Sequence, residues 1–91
     1  MNHFESLVRR AQNGEREAVE ALLEQVYQRV YAIAYHFLSH PQDAEEAAQE
    51  AMVRIFSRLS ELREPSRFPA WYATVTANLC RDWLRRRRSC G

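Results

Sequence analysis

The stretch FPAWYATVTANLCRDWLRRRR, residues Phe68 to Arg88, combines bulky aromatic side chains with a basic end along one predicted helix. Aromatic rings can stack on unpaired bases while arginine guanidinium groups pair with phosphates. This combination favours nucleic-acid binding, with single strands preferred over duplex. Because aromatic residues at helical spacing also fill helix cores, part of the stretch must first be assigned to packing.

We expect Tyr72 and Trp83 to pack inward. Phe68 and Trp71, which stand beside a loop, are better candidates for a surface role or for anchoring that loop. Polar and basic candidates on the same helix, able to reach base edges or phosphates, are Asn78, Arg81, Arg85 and Arg86. The run of arginines also complements the negative end of a helix dipole, so by itself it is weak support for DNA binding.

Charge is divided unequally along the 91 residues. The first fifty residues carry four arginines and nine acids, a net charge of −5, whereas the remainder carries nine arginines and three acids, a net charge of +6. One part of the molecule should therefore repel polyanions and the other attract them.

The elements that position these residues are helices. Strand-like alternation is absent, and the few glycines and prolines divide the sequence into helix-length segments, so we predict an all-α, four-helix bundle forming a single domain over residues 1–91. The predicted helices begin near His3, Glu15, Asp43 and Arg67. Asn2 is the predicted cap of the first helix, and Asp43 is predicted to cap the third, with Glu46 completing a capping box. The second helix would reach Leu38. Because this exceeds the usual helix length, the sequence does not decide between one continuous helix and a broken or kinked one.

The predicted third helix has two unlike sides. One is a stripe of small and apolar residues that begins at Ala44, and the opposite side carries Glu46, Gln49, Glu50, Val53 and Arg54. An exposed valine among acids gains little in a free domain but can fit a partner's groove. The plainer explanation is a solvated acidic helix, since single exposed apolar residues are common.

Enzymatic chemistry is not indicated. The sequence has no glycine-rich phosphate loop and no nucleophile elbow, and we expect neither catalysis nor a cofactor. His36 and His40 have a metal-ligand spacing, but Phe37 stands where a zinc protease motif has glutamate, so no metal is expected. Neither a signal peptide nor a membrane-length apolar run is present, and we expect no membrane insertion and a cytoplasmic location.

Two motifs resemble one family. DAEEAAQEAMVRIF, from Asp43 to Phe56, is similar to the D-A-E-D-x-x-Q-E-x-F-x-x-x-W/F signature of bacterial extracytoplasmic-function sigma factors. The later F-x-x-W at Phe68 to Trp71, followed by Asn78 and by L-x-x-D-x-L-R-R-R-R from Leu79, is similar to that family's next motif. The resemblance covers nearly the whole chain and implies the second conserved domain of a sigma factor.

Such a domain is implied to attach to core RNA polymerase and to recognise and melt the promoter minus-ten element. The resemblance assigns docking on the clamp helices of the beta-prime subunit to Asp43, Glu46, Gln49, Glu50 and Val53. It places the loop from Leu62 to Ser66 at an extruded base of the non-template single strand of promoter DNA, Asn78 at a base, and Arg81 and the arginine tail at phosphates. Together with the candidates from the residues themselves, the predicted DNA-binding residues are Leu62, Arg63, Glu64, Ser66, Arg67, Phe68, Trp71, Asn78, Arg81, Arg85 and Arg86. An anti-sigma factor would be a further partner.

The sequence departs from the family at two points. It lacks the family's aromatic residue at Ala73 and its arginines at Thr74 and Ala77, so strand-opening roles are not transferred to these positions. We also expect the family's second, helix-turn-helix domain to be absent from 91 residues. The competing function is a helical protein-interaction bundle, a regulator without DNA contact, in which the arginines only solubilise the chain.

Overall fold

The computed structural model describes residues 3–90, with side chains over residues 3–87. Its four α-helices confirm the predicted all-α class: α1 (His3–Gln12), α2 (Arg16–Leu38), α3 (Pro41–Ser57) and α4 (Phe68–Cys90). Two short 3₁₀ turns, Leu59–Glu61 and Pro65–Arg67, occupy the α3–α4 connection, which we define as residues 58–67. Asn2, the predicted cap of α1, lies outside the described residues.

α2 is the central helix and packs on α1, α3 and α4. It is one continuous helix of 23 residues, so the break considered because of its length is absent. Its buried stripe recurs every three to four residues and consists of Ala18, Leu22, Val26, Val30, Ala34 and Leu38. Burial of such a stripe supplies most of the stability of a small helical bundle, because isolated helices are marginal in water.

Small side chains let α3 lie close to its neighbours. Ala44, Ala47, Ala48 and Ala51 are fully buried, and Ile55 fills the space beyond them. Because these residues occupy one side of the helix, the residues between them are directed to solvent. The alanine stripe therefore determines which α3 residues can meet a partner.

α3 begins earlier than the predicted Asp43. His40 is the N-cap residue in an extended conformation and Pro41 occupies the first helical turn. Proline suits that position because its φ is already helical and it has no N–H group to satisfy. The predicted capping box of Asp43 and Glu46 is wrong, since Asp43 lies inside the first turn.

The connections between helices use left-handed backbone conformations. Gly14, with φ +84, separates α1 from α2, and Ser39, with φ 57, ends α2 and donates its backbone N–H to the carbonyl of Tyr35. No helix within residues 3–90 is long and apolar enough to cross a membrane.

Candidate functional site

The outward side of α3 is an acidic surface, defined here as Asp43, Glu46, Gln49, Glu50 and Val53. The last four side chains are exposed and Asp43 is half-buried. Val53 has 71% of its surface exposed. Helical periodicity placed the last four residues on one side, and the resemblance added Asp43, which lies in the first turn of the same helix.

The acidic surface continues into an apolar groove between α2 and α3, which the sequence did not indicate. Leu23 and Tyr27 of α2 face Met52 and Val53 of α3 across this groove, whose rim includes Glu20, Glu24 and Gln49. Burial is the main cause that raises the pKa of Tyr27, and the carboxylate of Glu45 and the hydroxyl of Tyr31 raise it further. The exposed valine is thus the edge of a larger apolar area rather than an isolated side chain.

The α3–α4 connection is open to solvent along most of its length. Arg63, Glu64, Ser66 and Arg67 are exposed, Leu62 is half-buried, and Pro65 is buried. Arg67 Nε lies 3.1 Å from Glu64 Oε2, an ion pair that spans the second 3₁₀ turn. The polar groups of this connection are therefore accessible to a ligand.

The side chain of Gln12, at the end of α1, holds the α3–α4 connection in place. Its Nε2 donates hydrogen bonds to the carbonyl oxygens of Leu59 at 3.0 Å and Leu62 at 2.7 Å. The two N–H groups of one amide thereby bond to two backbone carbonyls of the first 3₁₀ turn and its C-cap, of which that of Leu59 also accepts the backbone N–H of Leu62. The pairing joins residues about fifty positions apart, and no local sequence pattern signals it.

Phe68 is part of the core, so the surface role and the DNA contact predicted for it are wrong. Its side chain is 0% exposed. Its ring centroid lies 5.7 Å from that of Phe4, 6.1 Å from Trp71 and 5.2 Å from Tyr72. Burial among three rings makes Phe68 the anchor of the connection, the other role considered for it. Trp71, which is half-buried, keeps part of its ring accessible.

The exposed side of α4 carries Thr74, Asn78, Arg81 and Arg85, at spacings of three and four residues, and we call this side the basic surface. Arg81 Nη1 donates to Asn78 Oδ1 at 3.0 Å, and its guanidinium carbon lies 5.6 Å from the centre of the Phe37 ring. Arg85 pairs with Asp82 one turn earlier. The basic surface therefore presents both a cation and a polar amide to solvent.

The end of α4 also meets its neighbours. Arg87 forms an ion pair with Asp43 of the acidic surface, which links α4 to α3. The guanidinium of Arg86 lies 5.7 Å from the Trp83 ring centre, and the buried Nε1 of Trp83 has no hydrogen-bond partner. The residue predicted to pack inward therefore does so only in part, as Trp83 is half-buried.

No metal centre is assembled in the described part of the chain, where no three His, Cys, Asp or Glu side chains are grouped to hold an ion. His36 belongs to the last turn of α2, whereas His40 follows the end of that helix. The two histidines thus lack the common helical face that their spacing suggested.

Comparison with known proteins supports one family. The model of sigma-70 region 2 matches residues 22–90. Probable RNA polymerase sigma factor RfaY of Xanthomonas campestris pv. campestris is 42% identical over 59 residues, covering 65% of this chain and 15% of that protein. ECF RNA polymerase sigma factor SigE of Mycolicibacterium smegmatis is 35% identical over 68 residues, covering 75% of this chain and 26% of that protein.

RNA polymerase sigma-H factor of Pseudomonas aeruginosa is 26% identical over 80 residues, 88% of this chain and 42% of that protein. The chain thus spans less than half the length of these curated relatives. No solved structure gives a significant match. With the family match extending from α2 to the end of α4, the chain belongs to the sigma-70 region 2 family, among RNA polymerase sigma factors of the extracytoplasmic-function group.

Proposed function

We propose that this domain docks on core RNA polymerase through α3 and binds the non-template single strand of the promoter minus-ten element through the α3–α4 connection and α4. The observation that carries the proposal is the presence of two exposed surfaces of opposite charge on adjacent helices of one small bundle. Such a domain works in the cytoplasm, where polymerase and promoter DNA are found, and acts without catalysing a reaction itself.

Docking rests on the acidic surface and the groove beside it. Val53 offers an apolar contact in the middle of carboxylates, and Leu23, Tyr27 and Met52 extend that contact onto α2. A partner with apolar side chains flanked by basic ones fits this arrangement, because protein interfaces usually have a desolvated apolar centre and a polar rim. The resemblance names the clamp helices of the beta-prime subunit as that partner.

DNA binding rests on the connection and the basic surface. Extruding a base from the duplex costs a few kcal/mol, which pocket contacts and stacking must offset. Leu62, Arg63 and Ser66 offer such contacts in a connection that Gln12 and Phe68 hold in place. Arg81 and the arginines beyond it can then pair with the phosphates of the strand.

A charge reversal on α3 tests the docking surface. Glu50→Arg should abolish retention of the chain by purified core polymerase, because it places a cation where basic groups of the partner approach. The variant should stay folded, since Glu50 is exposed and its only ion pair within residues 3–87, to Arg54 at 3.8 Å, is weak. Glu17→Arg, an equal charge change on an exposed position of α2, is the matched control. Full retention of Glu50→Arg would reject this surface.

Competition between strands tests DNA binding. We expect the chain, alone or with core polymerase, to prefer the non-template strand of a minus-ten element over the duplex, with affinity that falls steeply as salt rises. Equal or stronger binding of duplex, whichever strand is present, would indicate a groove-reading module instead.

The regulator without DNA contact keeps one observation in its favour. Arg85 and Arg87 pair with Asp82 and Asp43 inside the domain, which reduces the positive charge available to phosphates. Absence of binding to either form of DNA, with polymerase docking intact, would favour that function. An anti-sigma factor that covers the acidic surface would compete with polymerase for Glu46 and Glu50.

A further inference from the structure

Arg81 contacts both Phe37 and Asn78, and these two contacts together affect how Asn78 can recognise a base. On one side its guanidinium carbon is 5.6 Å from the centre of the Phe37 ring, within the range of a cation–π contact. On the other its Nη1 donates to Asn78 Oδ1 at 3.0 Å. Phe37 belongs to α2 and the other two residues to α4, so the arrangement bridges two helices.

The chemistry of a guanidinium fixes the orientation of the Asn78 amide. Arginine only donates hydrogen bonds, so the atom facing it must be the carbonyl oxygen and not the NH₂ group. Oδ1 of Asn78 is therefore engaged within the domain, while both N–H groups of Nδ2 remain for a ligand. Asn78 is exposed, which leaves that donor side open to solvent.

Phe37 keeps Arg81 in this position. The phenylalanine stands one residue before the end of α2 and packs partly against the core, so its ring is held by the bundle. Arginine otherwise has many accessible rotamers, and a fixed aromatic face reduces the number that its guanidinium samples. The ring on α2 thus acts on the amide of α4 through Arg81.

We propose that Phe37 and Arg81 are positioning residues that make Asn78 a donor-only reader of a single-stranded base. Free asparagine recognises adenine with two hydrogen bonds, donating to N7 and accepting from N6. Because Oδ1 already accepts from Arg81, the N6 amino group of adenine would have to share that oxygen and approach the guanidinium cation, which weakens the accepting half of the pair. Bases that present a carbonyl oxygen, thymine, guanine or cytosine, are then preferred over adenine at the position that Asn78 contacts. The inference rests on the proposed binding of single-stranded DNA.

Selection from a random pool tests the inference. Single-stranded oligonucleotides randomised over their length are equilibrated with the chain, alone and in complex with core polymerase, and the bound fraction is sequenced. The wild type should disfavour adenine at one position, and Asn78→Ala should remove that bias. Phe37→Leu should weaken the bias about two- to fivefold, the range expected from loss of an exposed cation–π contact.

Two further variants separate positioning from general weakening. Phe37→Tyr retains an aromatic ring and should retain the bias. Arg81→Met keeps a long side chain without the guanidinium, so adenine should become favoured while overall affinity falls through the lost phosphate contact. Circular dichroism melting verifies that each variant is folded, and Arg81→Met provides the same readout should Phe37→Leu not fold.

The outcomes separate failure of this inference from failure of the proposed function. A wild type that binds the pool but favours adenine at the position where Asn78→Ala changes selection overturns the inference and leaves the proposed function standing. The same holds if the bias is unchanged in both Phe37→Leu and Arg81→Met. Failure of the wild type to bind any pool, with or without polymerase, refutes the proposed function and this inference with it.

Discussion

Replacement of Gln12 by leucine removes both hydrogen bonds that α1 makes to the α3–α4 connection. Leucine has a similar volume and an equal helix propensity, so α1 itself should persist. Each of the two bonds, at 3.0 Å and 2.7 Å, contributes about 0.5–1.5 kcal/mol net. The free energy of unfolding should therefore decrease by about 1–3 kcal/mol, and Tm by about 4–8 °C for each kcal/mol in a domain of this size.

Urea denaturation followed by circular dichroism measures this loss, and hydrogen exchange shows where it arises. Faster amide exchange should be confined to the connection and the end of α1, because the Leu62 carbonyl oxygen loses the Gln12 hydrogen bond and the Leu59 carbonyl oxygen keeps only the backbone N–H of Leu62. Affinity for a single strand should fall as well, since a looser connection must be ordered on binding. Gln25→Leu, at an exposed position of α2, is the matched control. A Gln12→Leu variant within about 0.5 kcal/mol of the wild type, with unchanged exchange in the connection, would show that Gln12 does not hold it.

Three other substitutions or conditions give further tests. Phe68→Ala should reduce the free energy of unfolding by about 3–5 kcal/mol in urea denaturation, as expected for a buried aromatic side chain, and a small loss would contradict its anchoring role. Burial raises the pKa of the Cys80 thiol, so alkylation of the folded chain should be slow. Because the unfolded chain ionises this thiol at its ordinary pKa and the folded chain does not, the free energy of unfolding should decrease as pH rises above that value. Asp43→Asn should change the free energy of unfolding by less than about 1 kcal/mol, because the side chains of Arg87 and Asp43 are 42% and 32% exposed. It should also free Arg87 to pair with phosphate and so steepen the salt dependence of DNA binding, and an unchanged slope would contradict that release.

Periodicity predicted the helices well because it reports burial directly. The stripe from Leu22 to Val30 and the alanines of α3 repeat every three to four residues, and the structure buries them. The same pattern separated Glu46 and Glu50 from the core, since opposite sides of a helix follow from its geometry alone. Fold class and the sides of α3 were thus available from the sequence.

Contacts between segments that are distant in sequence could not be predicted from periodicity. Gln12 bonds to backbone carbonyls about fifty residues away, and the groove beside Val53 depends on how α2 lies against α3. Phe68 resembled a surface aromatic because it stands next to a loop, but three other rings enclose it. A one-dimensional pattern carries no information on which helix will cover a given side chain.

The unbroken course of α2 has a geometric consequence for both proposed surfaces. Tyr27 lines the groove of the docking side and Phe37 lies beneath Arg81 on the DNA side, ten residues apart on one helix. At about 1.5 Å per residue, that separation is about 15 Å, held by continuous backbone hydrogen bonds. The continuous α2 helix thus fixes the distance between the two ligands. One residue inserted between these positions would rotate one ligand by about 100° around the helix axis relative to the other.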